Sequence, residues 1–417
     1  MKNSKKNGRV WLVAGVVVTG LVLQANATNG DILEGIGAVS GGMGGTGVAA
    51  PQDGISAIVN NPAGLSFLPG SELHEVNIGI TFFRPHVRAR LRTPAGTYSG
   101  GSDDPTSYIP YMSYTQPLNE RWAAGFAAYG ISGMGVDYKK RPWDLDGDPS
   151  NGYEGAVYTK FASMKFAPAL SYKITDSLSI GISPHFNYST LSIGQGEVDD
   201  VSFGGSIGLL QRIGDWNLGL SYTSPQKARF KGVYNFDEFL GDTRKDTLVL
   251  EQPAVYGAGA AWEPNDQWLI AFDIKRLMWG EADGYGDFDW ENQWVYAVGA
   301  RYRLTSSWDL RAGFNYSRNP VKEHRGWDPM GMTSVQGKYV PTMGYELLRT
   351  VAFPAIVETH ITLGAGYHIN ENLLLNVAYM HAFEKHSSSS GSTPGGDYNF
   401  KSSLYEDSLT IGLTWLF

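Results

Sequence analysis

The chain has 417 residues, a formal net charge of −8 and no cysteine, although it carries 52 glycines and 13% aromatic residues. The lack of cysteine excludes disulfides, thiolate metal sites and a cysteine nucleophile. An acidic chain without a concentrated basic surface is also a poor partner for nucleic acid, so none is predicted.

Residues 1–27 have the layout of a cleaved secretory signal peptide. Four basic residues precede an apolar run over residues 11–23, and Ala25-Asn26-Ala27 forms a small-x-small cleavage pattern. A membrane anchor is the alternative, but this run is shorter than the about 20 residues that a transmembrane helix needs. No later segment approaches that length, so the exported chain is expected to have no membrane helix.

Residues 28–70 are rich in glycine and alanine and poor in charge. The segment is too apolar for a free linker and too irregular for a spanning strand, and its glycines allow close backbone packing. We therefore predict a compact plug, or hatch. Gly42, Gly44 and Gly47 match the spacing of a dinucleotide fingerprint, but that fingerprint needs a βαβ unit, so no cofactor is predicted.

Residues 71–417 alternate between apolar and polar side chains with a period of two. In residues 294–304, Trp294, Tyr296 and Val298 fall on one face, while Val295 and Ala297 fall on the other. Fourteen such runs are predicted as strands: 72–92, 107–117, 121–137, 156–174, 177–194, 200–213, 215–228, 248–262, 267–280, 292–304, 307–319, 355–369, 372–386 and 402–417.

The connections between these runs alternate between short turns and long polar loops. The long loops are predicted at 93–106, 137–155, 229–247, 281–291, 320–354 and 387–401. This alternation is typical of an up-and-down barrel, with periplasmic turns and external loops. The prediction is an all-β protein, a fourteen-stranded antiparallel transmembrane β-barrel. A barrel of this size is too wide for its own side chains to fill, so the hatch is expected inside it.

The alternative fold is a large secreted β-sandwich or propeller. It would not readily explain tryptophans near many strand ends, nor a terminal apolar strand that ends on Phe417. Both features favour a barrel in the outer membrane, in contact with its lipid and recognised by the outer-membrane assembly machinery. We expect a monomer.

The predicted third strand contains Gly130, Gly133 and Gly135. Glycines inside a strand suit a bulge or kink, although they could instead only relieve crowding against the hatch. The predicted lumen-facing wall carries four cations, Lys275, Arg301, Arg303 and Arg311, which are candidates for pairing with a ligand carboxylate. The alternative is that the lumen pairs its own charges and anchors the hatch.

No enzyme is predicted, because His-Glu-x-x-His is absent, and Gly-x-Ser-x-Gly occurs only at residues 204–208, inside the predicted strand 200–213 rather than at the strand-to-helix elbow of a hydrolase. An outer-membrane lipase is the alternative, since serine and histidine both occur. Asp144, Asp146 and Asp148 resemble the start of a calcium loop, but Pro149 and Gly155 stand where glycine and glutamate are required. No metal site is therefore predicted.

Short stretches over nearly the whole mature chain carry a family resemblance: LEGIGA (33–38), MGGTG (43–47), NNPAGL (60–65), QPA (252–254), DIKR (273–276), WG (279–280), GARY (299–302), LRAG (310–313) and GAGY (364–367). In these stretches the chain resembles the FadL/TodX family of outer-membrane transporters for long-chain fatty acids and aromatic hydrocarbons.

The resemblance implies capture of a hydrophobic ligand from outside and a pocket within the barrel. It also implies lateral escape into the membrane, where the third strand kinks inward beside the Asn-Pro-Ala part of the hatch. On this chain it marks the hatch positions Gly35, Gly37, Gly44, Gly45, Asn61, Pro62, Ala63 and Gly64. The lateral gate is then expected at Gly130, Gly133 and Gly135.

One departure concerns the link between the fifth and sixth strands, which spans only residues 195–199, where family members have a long loop. Apolar residues in the loops 229–247 and 320–354 are candidates for initial capture instead. The leading hypothesis is passive transport of long-chain fatty acids. Import of monocyclic aromatic hydrocarbons, a receptor or adhesin role of the long loops, and a general porin are the alternatives.

Overall fold

The computed structural model describes residues 29–103, 106–138, 157–194, 196–235 and 244–417. The predicted signal peptide, the calcium-like stretch 144–148 and the apolar residues Phe236, Phe239 and Leu240 lie outside the described residues. Within the described residues, no helix is both long enough and apolar enough to cross a membrane.

The elements follow one another in chain order. They are α1 (Ala38–Gly41), α2 (Gly54–Asn60), a 3-10 helix (Pro62–Phe67), β1 (Glu75–Thr93), β2 (Gly96–Gly101), β3 (Ser107–Pro117), β4 (Trp122–Asp137), β5 (Tyr158–Lys173), β6 (Leu178–Ser192), β7 (Glu197–Ile213), β8 (Trp216–Thr223), β9 (Gln226–Tyr234), β10 (Asp246–Gln252), β11 (Val255–Asn265), β12 (Trp268–Leu277), a 3-10 turn (Trp279–Glu281), β13 (Gln293–Arg303), β14 (Trp308–Ser317), β15 (Arg325–Trp327), β16 (Met332–Val335), β17 (Lys338–Pro341), α3 (Thr342–Leu347), a π-helical turn (Leu348–Ala352), β18 (Thr359–His368), β19 (Leu373–Thr393) and β20 (Gly396–Leu416).

Fourteen antiparallel strands close into a barrel. The wall runs through β1, β3, β4, β5, β6, β7, β8, β11, β12, β13, β14, β18, β19 and β20, and β20 pairs back onto β1 from Glu75 opposite Leu416. Closure gives hydrogen-bond partners to the backbone groups that a sheet edge would otherwise leave unpaired in lipid. The predicted fourteen-stranded barrel is confirmed.

The two faces of the wall follow the predicted alternation. Trp294 is 47% exposed, whereas its neighbour Val295 is only 1% exposed. Tyr296 and Val298 are likewise exposed on the outside, and Ala297 is buried. Side chains of adjacent strand residues point to opposite faces, so one face meets lipid and the other meets the lumen.

Several predicted strand limits were wrong. The seventh and eighth predicted strands (215–228 and 248–262) are each interrupted near a proline, Pro225 and Pro253, which has no backbone N–H to donate to the barrel ladder. Beyond the breaks, β9 and β10 form a separate two-stranded sheet. The predicted loops 93–106 and 387–401 are largely strand, because β1, β2, β19 and β20 extend past the barrel as hairpins.

The segment from Asn29 to Gly70 precedes the barrel and lies inside it. It contacts several strands around the wall. Gly44 N donates to Thr362 Oγ1 on β18 (2.9 Å), and Ala38 N donates to Tyr111 Oη on β3 (3.3 Å). Arg212 on β7 donates to the Phe67 carbonyl near the short-turn end of the barrel (2.6 Å). The predicted hatch therefore fills the lumen.

Glycines of the wall make room for the hatch backbone. A Cβ at Gly181 would overlap the backbone of Pro62 and Ala63, and a Cβ at Gly313 would overlap that of Met43 and Gly44. The hatch is therefore seated by direct backbone contact with the wall, which only glycine permits at these positions.

We expect Gly181→Ala to lower the free energy of unfolding by about 1–3 kcal/mol, because the new methyl group overlaps backbone that has little room to move. The loss of stability is measured from the temperature at which the folded band disappears on gels. Gly101→Ala on β2 is the matched control, since its Cβ meets only Val87 O at 3.6 Å. Equal stability of both variants would contradict this account of hatch seating.

Candidate functional site

The barrel wall has an irregular seam between its second and third strands, β3 and β4. Pairing between them ends at Tyr111 opposite Tyr129. The β4–β5 register shifts between Gly130 and Ser132, so Ile131 is an extra residue on β4. Ser107–Pro110 stay paired with β1, so among the described residues the upper part of β4 has no partner strand on the β3 side.

The N-terminal end of the hatch covers this free edge of β4. Leu33 N donates to the Ile131 carbonyl (3.2 Å), and Ile32 forms an isolated bridge with Ser132. The Asp31 carboxyl accepts hydrogen bonds from Ser132 Oγ and from Tyr285 Oη. The hatch thus supplies partners for the Ile131 carbonyl and, through Asp31, for the Gly133 backbone, and we call residues 29–33 the hatch latch.

An aromatic cluster holds the latch from the other side. Trp279, Tyr285 and Trp290, all from the β12–β13 connection, pack in tilted and edge-to-face arrangements with ring centroids 4.6 to 5.1 Å apart. Gly30 lies against them with φ of +68°, and a Cβ there would approach Trp279 to 2.9 Å. Only glycine combines this left-handed backbone with so close an approach.

Burial has a marked effect on Asp31. The fully buried carboxyl has its pKa raised from 3.8 to about 7 by desolvation, which outweighs the lowering by its hydrogen bonds with Ser132, Tyr285 and Gly133. The same burial raises the pKa of Tyr285 well above its usual value. The latch is therefore held by a carboxyl that changes its charge near neutral pH.

The Asn-Pro-Ala part of the hatch sits elsewhere. Asn61 Nδ2 donates to Val48 O (2.7 Å) and Leu209 O (3.0 Å), while Ala63 O accepts from Ser171 and Ser179 on β5 and β6. Its 3-10 helix packs on β5, β6 and β7 near the short-turn end of the barrel. The structure thus places residues 29–33, rather than the expected Asn-Pro-Ala motif, at the β4 bulge.

The hatch glycines fit turns and close contacts. Gly37, Gly44 and Gly45 have φ of 84°, 66° and 80°, in the left-handed region. Gly35 packs against Gly41 and Gly45, and Gly64 packs against Pro51. On β4, a Cβ at Gly130 would overlap Ile109, and one at Gly135 would approach Lys160 Cα to 3.1 Å. Gly133 follows the bulge, opposite Ala162.

The four predicted cations face the lumen, and three have partners inside the protein. Lys275 Nζ donates to Gly45 O (3.1 Å) and Asn60 Oδ1 (3.0 Å) of the hatch. Asp309 lies 3.4 Å from Arg303 and 3.6 Å from Arg311. Arg301 is buried nearby. These contacts fit the alternative in which the lumen pairs its own charges and anchors the hatch.

Sequence reasoning missed a different cation, Lys165 on β5. Its side chain faces the lumen, is 2% exposed, and lies opposite Tyr129 and hence beside the bulge. Among the described residues, none forms a hydrogen bond or an ion pair with its ammonium group. The alternation along the fourth predicted strand, 156–174, places Lys165 on the inward face, but the sequence does not show that it lacks an acidic partner.

The neighbouring strand β6 presents buried polar residues near the level of Lys165. Asn187 stands opposite it on β6, and Asn187 Nδ2 also donates to Gln252 Oε1 (3.3 Å). His185 is buried on the same strand, near Ser206. A buried ammonium without an anionic partner among the described residues is an electrostatic site suited to an anion.

A closed barrel with an apolar outer face and a hatch across its lumen defines an outer-membrane transport protein. The comparison with known families agrees with the geometry. Residues 21–195 and 189–326 match the family described as outer membrane protein transport protein (OMPP1/FadL/TodX). The chain belongs to this family, so the predicted family, the outer-membrane location and the transport of hydrophobic compounds are confirmed.

Relatives and solved structures match most of the chain. The 47 kDa outer membrane protein of Pasteurella multocida (strain Pm70) is 20% identical, covering 80% of this chain and 82% of its own. Outer membrane protein P1 of Haemophilus influenzae is 20% identical over 87% of this chain and 88% of its own. The Pseudomonas putida toluene transporter TodX superposes with a TM-score of 0.67 at 18% identity, covering 92% of this chain and 99% of that one.

A Pseudomonas aeruginosa FadL homologue has a TM-score of 0.66 at 17% identity, and the match covers 93% of this chain and 99% of that one. These structural likenesses establish the fold. Members of the family are transport channels rather than enzymes.

The raised pKa of Asp31 predicts that docking of the hatch latch on β4 depends on pH. Between pH 3.8 and about 7 the docked segment binds more protons than the released one, so docking weakens as the pH rises through this window. We expect the hydrogen-exchange protection factor of the Leu33 amide to fall as the pH rises, by up to about tenfold per pH unit. The protection factor is the intrinsic exchange rate at each pH divided by the observed rate. Hydrogen-exchange mass spectrometry between pH 5 and 8 measures it.

The control for the latch is Asp31→Asn, which mimics the protonated carboxyl in shape and charge. Its Leu33 protection should stay constant with pH. A wild-type profile as flat as that of the variant would contradict the proposed role of Asp31.

Proposed function

We propose that the chain carries long-chain fatty acids passively across the outer membrane, with Lys165 pairing with the ligand carboxylate. The single observation that supports this substrate class is a lumen-facing lysine, 2% exposed, with no anionic partner among the described residues. An isolated buried charge is costly, and a ligand carboxylate would compensate it. A neutral hydrocarbon offers no such compensation.

The acyl chain supplies the remaining affinity. Moving methylenes from water to an apolar surface contributes roughly 0.8 kcal/mol for each one buried. Apolar side chains line the approach to the bulge, including Ile109 and Met134, both buried. A ligand held by one ion pair and an apolar surface is retained but can still leave, as passive transport requires.

Exit is proposed to be lateral, between β3 and β4 above Tyr111 and Tyr129. The wall there lacks strand pairing below the hydrogen bonds that join Asp137 to Ser102 and Asp103, so an opening between these bonds and Tyr129 would break no β3–β4 ladder bond. Movement of the hatch latch would break contacts that include the Leu33–Ile131 bond, the Ile32–Ser132 bridge, the bonds of Asp31 and the bond from Ser317 Oγ to Asn29 Oδ1. Release into the membrane would spare an apolar ligand a passage through the polar lumen.

Capture is proposed to begin on the external segment 320–354. Met330 is 80% exposed, and Met332, Tyr339 and Met343 are also exposed. The segment is anchored by Glu346, which accepts from Ser389 Oγ (2.6 Å) and approaches His324 Nδ1 (2.6 Å). An anchored loop with exposed methionines offers an adaptable apolar surface.

The test is uptake of labelled oleate by cells that lack their own fatty-acid channel. Lys165→Met keeps the apolar stem but removes the charge, and we expect it to lower oleate uptake about tenfold or more while leaving the amount of folded barrel unchanged. Lys160→Met is the matched control on the same strand. Its side chain pairs with Glu197 at 2.9 Å, away from the lumen.

The other outcomes separate the alternatives. Toluene uptake without oleate uptake would replace the proposal with import of monocyclic aromatic hydrocarbons. Uptake of neither, with loss of cell adhesion when 320–354 is shortened, would indicate a receptor or adhesin. Normal oleate uptake by Lys165→Met would refute the role of Lys165.

Lateral exit is tested by locking the latch. Ile32 and Ser132 are antiparallel bridge partners, so cysteines at both positions lie within reach of a disulfide. The natural chain has no cysteine, so this bond would be the only one. We expect Ile32→Cys/Ser132→Cys to block oleate uptake when oxidised and to recover it with a reductant.

The two single variants are the controls, and neither should respond to reductant. Full uptake by the oxidised double variant, with the disulfide verified by mass spectrometry, would exclude exit past this edge of β4.

A further inference from the structure

A basic surface covers the outside of the barrel extension formed by β2, β1, β20 and β19. We define the outer basic face by the exposed residues Arg88, Arg90 and Arg92 of β1 and Lys401 of β20, with His386 of β19 at its edge. The arginines alternate along β1, so their side chains share one face. The face carries four permanent positive charges on a chain whose net charge is −8.

These cations are not neutralised within the protein. Among the described residues, none of the four forms an ion pair or a side-chain hydrogen bond. Arg90 stands directly opposite Lys401 in the β1–β20 register, and Arg88 stands opposite Ser403. Like charges directly opposite one another on paired strands are destabilising. An external anion between them would remove that repulsion.

The surface offers room for such an anion. Arg88, Arg90, Lys401 and His386 surround a shallow depression of about 580 Å³. Its floor is made of small residues: Ser99, Gly100, Gly101, Ser402 and Ser403. Guanidinium groups bind phosphate oxygens in a bidentate manner, and nearby serine hydroxyls can add hydrogen bonds.

The position of the face relative to the lipid indicates which anion it meets. Below it on the same outward side, Phe82 pairs with Leu409, Ile80 with Ile411 and Ile78 with Leu413, all within the apolar band. Arg88 is six positions beyond Phe82, about 20 Å along the strand at about 3.3 Å per residue. With the tilt of barrel strands, this is about 15 Å above the apolar band.

We propose that the outer basic face binds the phosphorylated sugars of an outer-leaflet glycolipid, of the lipopolysaccharide type. One molecule can place its acyl chains against the apolar residues of β1 and β20 and its sugar phosphates against Arg88, Arg90 and Lys401. Because the apolar residues and the cations lie along the same strands, a lipid is favoured over a free anion. Such a site would hold ordered glycolipid beside β3, next to the seam that β3 forms with β4.

The test compares two double variants of the full-length protein purified in mild detergent. Arg90→Gln/Lys401→Gln removes the opposed pair. Arg229→Gln/Lys231→Gln removes two exposed cations from β9 and is the matched control. Binding of rough lipopolysaccharide, with and without enzymatic removal of phosphates, is measured by native mass spectrometry and by competition with a fluorescent analogue.

We expect Arg90→Gln/Lys401→Gln to bind intact lipopolysaccharide about tenfold more weakly than the wild type, and the control to bind as the wild type does. Phosphate removal should weaken wild-type binding to a similar degree. Folding of both variants is verified by their heat-dependent gel migration.

Two results would overturn the proposal. Equal weakening in both double variants would show that binding reflects overall charge rather than this face. Complete displacement of the fluorescent analogue by inorganic phosphate at millimolar concentration would show a site for a free anion rather than for a glycolipid.

Discussion

The whole architecture depends on one constraint, that a wall in lipid must keep its backbone N–H and C=O groups paired. Fourteen strands meet it by closing β20 onto β1, and the width of the closed wall then requires a plug. The constraint is relaxed at one described seam, where β4 carries an extra residue at Ile131 and loses its partner β3. There the hatch latch supplies the missing partner. The plug and its contact with the β3–β4 seam thus both follow from the same hydrogen-bonding requirement.

The charges of the lumen divide into two kinds. Most serve the structure: Asp273 accepts from the Gly47 and Val48 amides of the hatch, and Lys275 donates to the carbonyl of Gly45. Lys165 differs because it is buried without a hydrogen-bond or ion-pair partner among the described residues. Its place opposite Tyr129, next to the bulge, would put a bound carboxylate beside the proposed exit. The proposed function rests on this juxtaposition of a charge and a seam.

Much of the fold could be predicted from the sequence, since alternation fixes which face of a strand meets lipid. The third strand, expected at 121–137 and found at Trp122–Asp137, is an example. The breaks at Pro225 and Pro253 were missed because alternation continues across them, while hydrogen bonding does not. The site was harder to predict. The glycines of β4 indicated an irregular strand, but its partnership with residues 29–33 and the isolation of Lys165 depend on contacts between distant parts of the chain.

The most direct measurement of the central claim is an experimental structure of the protein with oleate bound. The account predicts that the carboxylate lies within hydrogen-bonding distance of Lys165 Nζ, with the acyl chain directed towards Ile109 and the β3–β4 seam. A carboxylate bound to Arg311, or oleate bound only on the outer surface with Lys165 uncontacted, would contradict it.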